Sequence, residues 1–435
     1  MTVDLGRVRT ALGEAAPLPL RGRVTRLTGL VLEAAVGGVR QGEAVELRAP
    51  GREPLLAEVV GLRDDRAVLV PFGELGGVGL DAEVIPTGRP HAIRVGPGLL
   101  GRVLDGLGRP LDGAPLPAGL EEWAVDRPAP NPLARRPVAA PLPLGVRVLD
   151  GLLTAGEGQR IGLFAGSGVG KSTLLGQLAR GARADLCVVC LVGERGREVR
   201  EFLEGPLGAD GLARSVVVAA TSDAPALVRL KAAHVATAVA EWFAERGDRV
   251  LLLVDSVTRY ARALREVGLA AGEPPARQGY PPSVFAALPR LLERAGNRAR
   301  GGITAVYTVL VAGGDLEEPI ADEVRGILDG HVVLDRAVAA GGRFPAVDPL
   351  QSLSRVMPAV AGPDHLAAAG RVRALLAAHA RVRDLVALGA YRAGGDPEAD
   401  LALARLPALE AFLRQPLGEP APFEETLRRL EALAG

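Results

Sequence analysis

The sequence predicts an α/β protein in three parts: a small N-terminal β-barrel, a mostly parallel sheet covered by helices, and a helical tail. Three observations point there. From about residue 20 to 88 the chain runs in short β-like pieces separated by glycine, proline and Asp-Asp turns. From 150 to about 357, buried-strand patterns alternate with helical ones. From about 358 the strands stop and Ala-, Leu- and Arg-rich helical sequence continues. The expected domains are therefore 1–88, 89–357 and 358–435.

Taken in order, the first 18 or so residues fit a short helix that "EAAPLPLRG" ends with prolines. The pieces "RGRVTRLTGLVLEA", "EAVELRA", "LLAEVVGLRDDRAVLVPF" and "DAEVIPTG" fit an antiparallel barrel. A proline-rich extended connector, "RPAPNPLARRPVAAPLPLG", covers 127–145. Beyond it, "RIGLFAG", "LCVVCLVG", "SVVVAAT", "RVLLLVDS", "ITAVYTVLVA" and "HVVLD" read as buried strands, with helices such as "KSTLLGQLARGA" and "VRLKAAHVATAVAEWFAER" between them. In the tail, "GAYRAGGDPEAD" breaks the helical pattern, and Phe423, Leu427, Leu430 and Leu433 make one apolar stripe.

Composition excludes several classes. The 51 basic and 51 acidic residues cancel, which argues against a general polyanion binder and makes nucleic acid an unexpected partner. The N-terminus lacks a basic region followed by an apolar one, and no apolar run approaches the roughly 18 residues a membrane span needs. A soluble cytosolic protein is expected, including one that docks on a membrane complex. Cys187 and Cys190 sit in an apolar strand pattern, where residues three apart point to opposite faces, so they read as core rather than as a redox or metal pair. The five histidines are scattered without metal-ligand spacing.

The chemistry concentrates in "GLFAGSGVGKSTLL". A strand runs into a glycine-rich turn and then a helix beginning near Lys171. Glycines at 166, 168 and 170 let backbone N–H groups curl around a phosphate, and the helix N-terminus adds partial positive charge. The cradle is expected to comprise Ala165, Gly166, Ser167, Gly168, Val169, Gly170, Lys171, Ser172 and Thr173. Lys171 would reach the β- and γ-phosphates, and Ser172 would place its hydroxyl on Mg²⁺. The strict motif has glycine where Ala165 stands, which a turn tolerates if φ stays negative. Asp255, ending "RVLLLVDS", supplies a second magnesium anchor at the carboxyl edge of the sheet. Glu194 and Arg195, in "GERGREV", reach the same edge as candidates for the general base and for a brace on the γ-phosphate.

The runs "LLGRVLDGLGRPLDG", "GEGQRIGLFAGSGVGKSTLL", "LVGERGREVREF", "LLLVDSVTRYARALREVGLAAGEPPARQGYPPSVFAALPRLLERAGN", "PIADEVRGILDGHVVLDR" and "FPAVDPLQSLSRVM" closely resemble the ATPase family of flagellar and type III protein export. That family is itself similar to the catalytic subunits of rotary ATP synthases. The resemblance covers nearly the whole chain and implies a RecA-like P-loop ATPase core. It implies ATP and Mg²⁺ as ligands, Glu194 as the catalytic glutamate, and Arg259 as an arginine near the same site. Arg355, in "SLSRV", matches an arginine that reaches into the neighbouring subunit's nucleotide, worth on the order of 10³ to 10⁵ in rate in phosphoryl-transfer enzymes. Phe344, in "RFPAVDPL", falls where the family usually has a tyrosine packed on adenine; stacking needs only the ring face.

The implied function is an export motor: a homohexameric ring that couples hydrolysis to unloading and export of secretion substrates. Its implied partners are a regulatory stator protein, a coiled-coil central stalk protein, chaperone–substrate complexes and a membrane export gate. The implied location is cytoplasmic, peripheral at the inner membrane. The acidic "GGDLEEPIAD" resembles a stalk-facing loop, with Asp315 and Glu318 as the contact residues. A catalytic subunit of a rotary ATP synthase is the nearest alternative. A non-catalytic ring subunit would lack glutamate at the position of Glu194. A hexameric RNA helicase would need base-stacking aromatics, and Phe72 is the single aromatic in residues 1–90. Flagellar and virulence-type systems are not separated by these motifs.

Overall fold

The computed structural model describes residues 20–435, so the helix expected in the first 18 or so residues lies outside the described part. The chain forms two compact units, one comprising residues up to Ala92 with Glu266–Pro274, the other Ile93–Arg265 with Pro275–Gly435.

In the first unit, strands β1 (Gly22–Thr28), β2 (Val31–Ala35), β3 (Glu43–Arg48), β4 (Leu55–Arg63), β5 (Arg66–Pro71) and β6 (Glu83–Pro90) close into an antiparallel barrel in the order β1-β2-β5-β4-β3-β6. Closure leaves no free edge to template aggregation. The two-residue turn Asp64-Asp65 joins β4 to β5 with φ of 47° and 59°. This left-handed pair matches the twist of the flanking strands, and aspartate tolerates it better than most side chains. Inward side chains, among them Leu32, Val45, Leu47, Val59, Leu69 and Val84, fill the interior.

The second unit is built on a sheet of nine strands: β8 (Val103–Asp105), β10 (Arg160–Ala165), β11 (Leu186–Glu194), β12 (Ser215–Thr221), β13 (Arg249–Asp255), β14 (Gly296–Asn297), β15 (Gly302–Leu310), β16 (Gly330–Leu334) and β17 (Leu353–Ser354). The order is β17-β16-β10-β15-β13-β11-β12-β8, with β14 on β15 and a separate pair of β7 (Ala92–Val95) with β9 (Glu121–Ala124). All ladders from β16 to β8 along that order are parallel. Such a sheet must be covered on both faces. The helices that cover it and its edges are α1 (Arg147–Leu152), α2 (Lys171–Gly181), α3 (Gly196–Phe202), α4 (Gly208–Ala213), α5 (Ala226–Glu245), α6 (Val257–Ala270), α7 (Pro282–Leu292), α8 (Pro319–Ile327) and α9 (Arg336–Ala340). Leu186 to Glu194 are buried without interruption, as the apolar run predicts. Cys187 and Cys190 lie within that strand as core residues, and burial pushes both thiols up, Cys187 to about 12.

After the short α10 (Met357–Val360), the chain continues as α11 (Pro363–Ala387), α12 (Pro397–Leu413) and α13 (Phe423–Ala434). Their apolar side chains, including Val372, Leu375, Leu409, Phe412 and Leu430, join one core with Leu149, Leu152, Leu174 and Leu178. Arg147, buried, fastens this arrangement: its guanidinium donates to the carbonyls of Phe412 at 3.2 Å and Arg414 at 2.5 Å, and its N–H donates to Gln415 at 2.8 Å. The proline-rich connector has no sheet partners to fix it along most of its length. Instead Arg135 donates to the Ala295 carbonyl at 2.6 Å, and Arg136 to those of Arg298 and Gly301 at 2.9 and 2.8 Å.

Candidate functional site

Parallel strands deliver their carboxyl ends to one edge of the sheet, so three sequence-distant strand ends meet there. Ala165 of β10 pairs with Leu310, Val254 of β13 with Tyr307, and Asp255 with Leu191 of β11. Ala165 is still a strand residue, buried and with negative φ, which is why alanine serves where the strict motif has glycine. The loop then turns through Gly168 and Gly170 at φ of 79° and 89°, conformations that favour glycine. Val169 between them is buried and anchors the loop, while Ser167, Gly168 and Ser172 are exposed. Gly170 caps the N-terminus of α2, whose first residue is Lys171.

Lys171 is the centre of a charge-balanced cluster. Its ammonium contacts Asp255 Oδ1 and lies 3.6 Å from Glu194 Oε1. Glu194 in turn contacts the Arg259 guanidinium. Asp255 Oδ1 also accepts the Thr308 hydroxyl from β15 at 2.7 Å, which fixes a carboxylate that is otherwise buried. Two carboxylates and two cations thus offset one another at the mouth of the phosphate cradle, and an incoming polyphosphate would compete for Lys171 and Arg259.

Two local devices aim Glu194. The β11–β12 register shifts between Val192 and Glu194, leaving Gly193 as an extra residue with φ of 68°. A bulge of this kind re-aims the side chain that follows it. A Cβ at 193 would stand 2.9 Å from Cδ of Arg259, so glycine also admits the arginine that holds Glu194. Neither Gly193 nor Thr308 was singled out from the sequence; a glycine preceding the strand-ending glutamate is the signal that could have found the first. Glu198, in the first turn of α3, lies against Glu194, and that contact, with the neighbouring Arg195 and Arg259 guanidinium groups, holds its carboxyl below the usual range.

The remaining sequence-selected residues are placed differently. Arg195 is 74% exposed and pairs with Glu198 at 3.1 Å, so Arg259 rather than Arg195 is the cation on Glu194 in this chain. Arg355 follows the edge strand β17; its backbone N–H donates to the Asp329 carbonyl at 3.0 Å, and its exposed side chain makes no ion pair among the described residues. Phe344 is 45% exposed, and its ring would stand 3.4 Å from a Cβ at Gly170, directly beside the loop. A cavity of about 450 Å³ opens there, lined by Thr173, Gln177, Phe344, Pro345 and residues 414–417. That the segment after α12 forms a wall of this cavity was not readable from sequence spacing, because it depends on the Gln415 N–H bonding the Phe344 carbonyl at 2.9 Å. Asp315 accepts the Glu317 N–H at 2.9 Å within its own loop.

Among the described residues no group of histidine, cysteine or acidic side chains could hold a metal alone. The donor set of Ser172 hydroxyl and Asp255 carboxylate, next to a phosphate cradle, does fit Mg²⁺, a hard cation that usually binds one or two carboxylates together with substrate phosphates. No helix of the described residues is long and apolar enough to cross a membrane.

Comparison with known proteins identifies the family. A family model for the ATP synthase alpha/beta family, nucleotide-binding domain, matches residues 145–354; the beta-barrel domain of that family matches 24–88, and the T3SS EscN ATPase C-terminal domain matches 361–432. A type 3 secretion system ATPase of Xanthomonas euvesicatoria is 55% identical over 95% of this chain and 93% of its own. A flagellum-specific ATP synthase of Bacillus subtilis is 51% identical over 95% of both. The assembled ATPase EscN of the enteropathogenic E. coli type III secretion system superposes with a TM-score of 0.90 at 46% identity, covering 95% of this chain and all of that one. With its glycine-rich loop, its strand-end carboxylates and these relatives along its length, the chain belongs to the ATP synthase alpha/beta family, in the branch of type III secretion and flagellum-specific ATPases.

Proposed function

We propose that the chain is the ATP-hydrolysing motor of a flagellar or type III export apparatus and works as a homohexameric ring. The observation that carries the hydrolytic half is the Lys171 ammonium poised between Glu194 and Asp255 beside the phosphate loop. The phosphates of ATP lie on the loop from Ala165 to Thr173, and the adenine enters the cavity beside Phe344. Lys171 leaves its carboxylates for the β- and γ-phosphates, and Glu194, freed of that charge, orients the attacking water. Arg259 keeps Glu194 aimed, and Arg195 swings from Glu198 toward the γ-phosphate. Ser172 and Asp255 hold Mg²⁺, which when bound offsets charge on the phosphate oxygens. Arg355, exposed and unengaged in its own chain, completes the site of the neighbouring protomer.

The ring is supported by the relatives, one of which was solved as an assembled ATPase and again in complex with its central stalk EscO. By that likeness the present ring takes a coiled-coil stalk protein in its pore, with Asp315 and Glu318 on the contacting loop. It also takes a regulatory stator protein, chaperone–substrate complexes and a membrane export gate, and works in the cytoplasm, peripheral at the inner membrane. The experiment is turnover per protomer against protein concentration, with Mg²⁺, with and without RNA. A rate that climbs with concentration and ignores RNA is expected. A flat, RNA-stimulated rate would point to a preassembled helicase ring instead.

A further inference from the structure

A polar row that runs from exposed Asp126 to buried Tyr260, beside the strand-end carboxylates, has no part in the chemistry above. Asp126, just beyond β9, places Oδ2 2.6 Å from the Lys231 ammonium and Oδ1 2.8 Å from His234 Nδ1. The other ring nitrogen, Nε2, lies 3.0 Å from the Tyr260 hydroxyl, with the two rings 5.7 Å apart. Lys231 and Tyr260 are almost wholly buried. The 2.8 Å approach of Asp126 to Nδ1 lacks hydrogen-bond geometry, but a carboxylate can only accept, so it favours the tautomer with the proton on Nδ1, in which Nε2 accepts from the tyrosine O–H. Donation therefore starts at Tyr260 in the first turn of α6, passes through His234 and ends on Asp126, which Lys231 also donates to. Tyr260 immediately follows Arg259, the residue that contacts Glu194, and the same turn begins one residue after Asp255 and Ser256.

We propose that His234, acting through Tyr260, is a positioning residue for hydrolysis: it clamps the first turn of α6 so that Arg259 keeps Glu194 aimed, and protonation of the ring loosens the clamp by reversing the bond to the tyrosine. The proposal rests on the reading of Glu194 as the water-orienting group. A doubly protonated ring has no acceptor left, so Nε2–H donates to the tyrosine oxygen instead: the bond turns round, and the tyrosine's own proton loses the ring as its acceptor. The groups facing the ring are Asp126 beyond β9, Lys231 on its own helix, Tyr260 on α6, and Arg294 beyond α7. Arg294 is itself engaged by Glu241, at 2.9 and 2.7 Å, through both carboxylate oxygens. Burial outweighs the pull of Asp126 and holds the imidazole below the ordinary histidine range, so the ring is neutral at neutral pH. Folding therefore favours the neutral ring, and that contribution is lost as pH falls from the ordinary histidine range through the lowered value.

The test uses the full chain with saturating Mg·ATP between about pH 5 and 8. Tyr260→Phe, which keeps the ring and removes the hydroxyl, is expected to lower kcat about three- to tenfold at neutral pH with KM within about twofold. It should also flatten the acidic limb of the wild-type kcat profile, and His234→Gln should flatten the same limb. Binding of a fluorescent ATP analogue and the unfolding temperature at neutral pH are expected to stay near wild type in Tyr260→Phe. An unaltered kcat profile in Tyr260→Phe overturns this proposal alone, as does a parallel fall in kcat, nucleotide affinity and unfolding temperature, which marks a role in folding only. An inactive wild type overturns it together with the hydrolytic reading.

Discussion

At the scale of single residues, function turns on how few atoms separate a structural ion pair from a catalytic one. Glu194 and Asp255 share Lys171, and Glu194 also meets Arg259. Glu194→Gln keeps the size and an acceptor oxygen but removes the charge that, on the proposed reading, polarises water. It is expected to bind ATP with affinity close to wild type while turnover falls about 10²- to 10⁴-fold, as equilibrium binding alongside phosphate release would show. Turnover near wild type would transfer the role to another carboxylate, with Glu198 the nearest by its contact with Glu194. That Lys171, Glu194 and Asp255 share one sheet edge was legible in the sequence, because one follows a strand-to-loop motif and two end apolar strands. Gly193 was less so, since its value lies in a bulge and in the room it leaves Arg259.

At the scale of elements, α2 carries a glycine at a position where helix propensity opposes it. Alanine in an exposed helix interior is favoured over glycine by about 1 kcal/mol. Here a Cβ at Gly176 would stand 2.3 Å from the Pro206 carbonyl oxygen, backbone that belongs to the π-helical turn Leu203–Leu207. Gly176→Ala is therefore expected to destabilise by about 1–3 kcal/mol in spite of propensity, measured by urea unfolding. A rise in KM for ATP should accompany it, because α2 holds Lys171 at its first residue. A stabilised variant would mean that the turn yields freely. The helix itself was readable from its motif and its start near Lys171; the element pressing on it was not, because Pro206 is 30 positions from Gly176 and meets it only through the packing of α2 on that turn.

At the scale of the whole molecule, the exposed Arg355 side chain makes no ion pair among the described residues, and the proposed reading gives it a task in the neighbouring protomer. A site completed by a neighbour makes a specific demand on mixtures. Arg355→Ala and Glu194→Gln are each expected to be nearly inactive alone, the first by a factor on the order of 10³ to 10⁵. Co-assembled, they should recover part of the wild-type rate, at interfaces where the intact Glu194 of one protomer meets the intact Arg355 of the next. Mixtures as silent as the separate variants, in rings shown by light scattering to be assembled, would remove Arg355 from the site.

The sequence by itself determined the parts that local chemistry or periodicity dictates. These are the barrel strands with their Asp-Asp turn, the alternation that forces a parallel sheet, the phosphate loop, and the carboxylates that end strands. Each is specified within a dozen residues, by side-chain period or by a φ that few residues accept. Only the tertiary structure decided which of those residues meet. It set Arg259 rather than Arg195 on Glu194, walled the cavity beside Phe344 with residues 414–417, and joined the helical tail to the core of the sheet. The physical reason is that these contacts link positions tens to hundreds of residues apart, and their geometry depends on strand order, register and a single bulge. Residue spacing carries none of these, so they exist only once the sheet has formed.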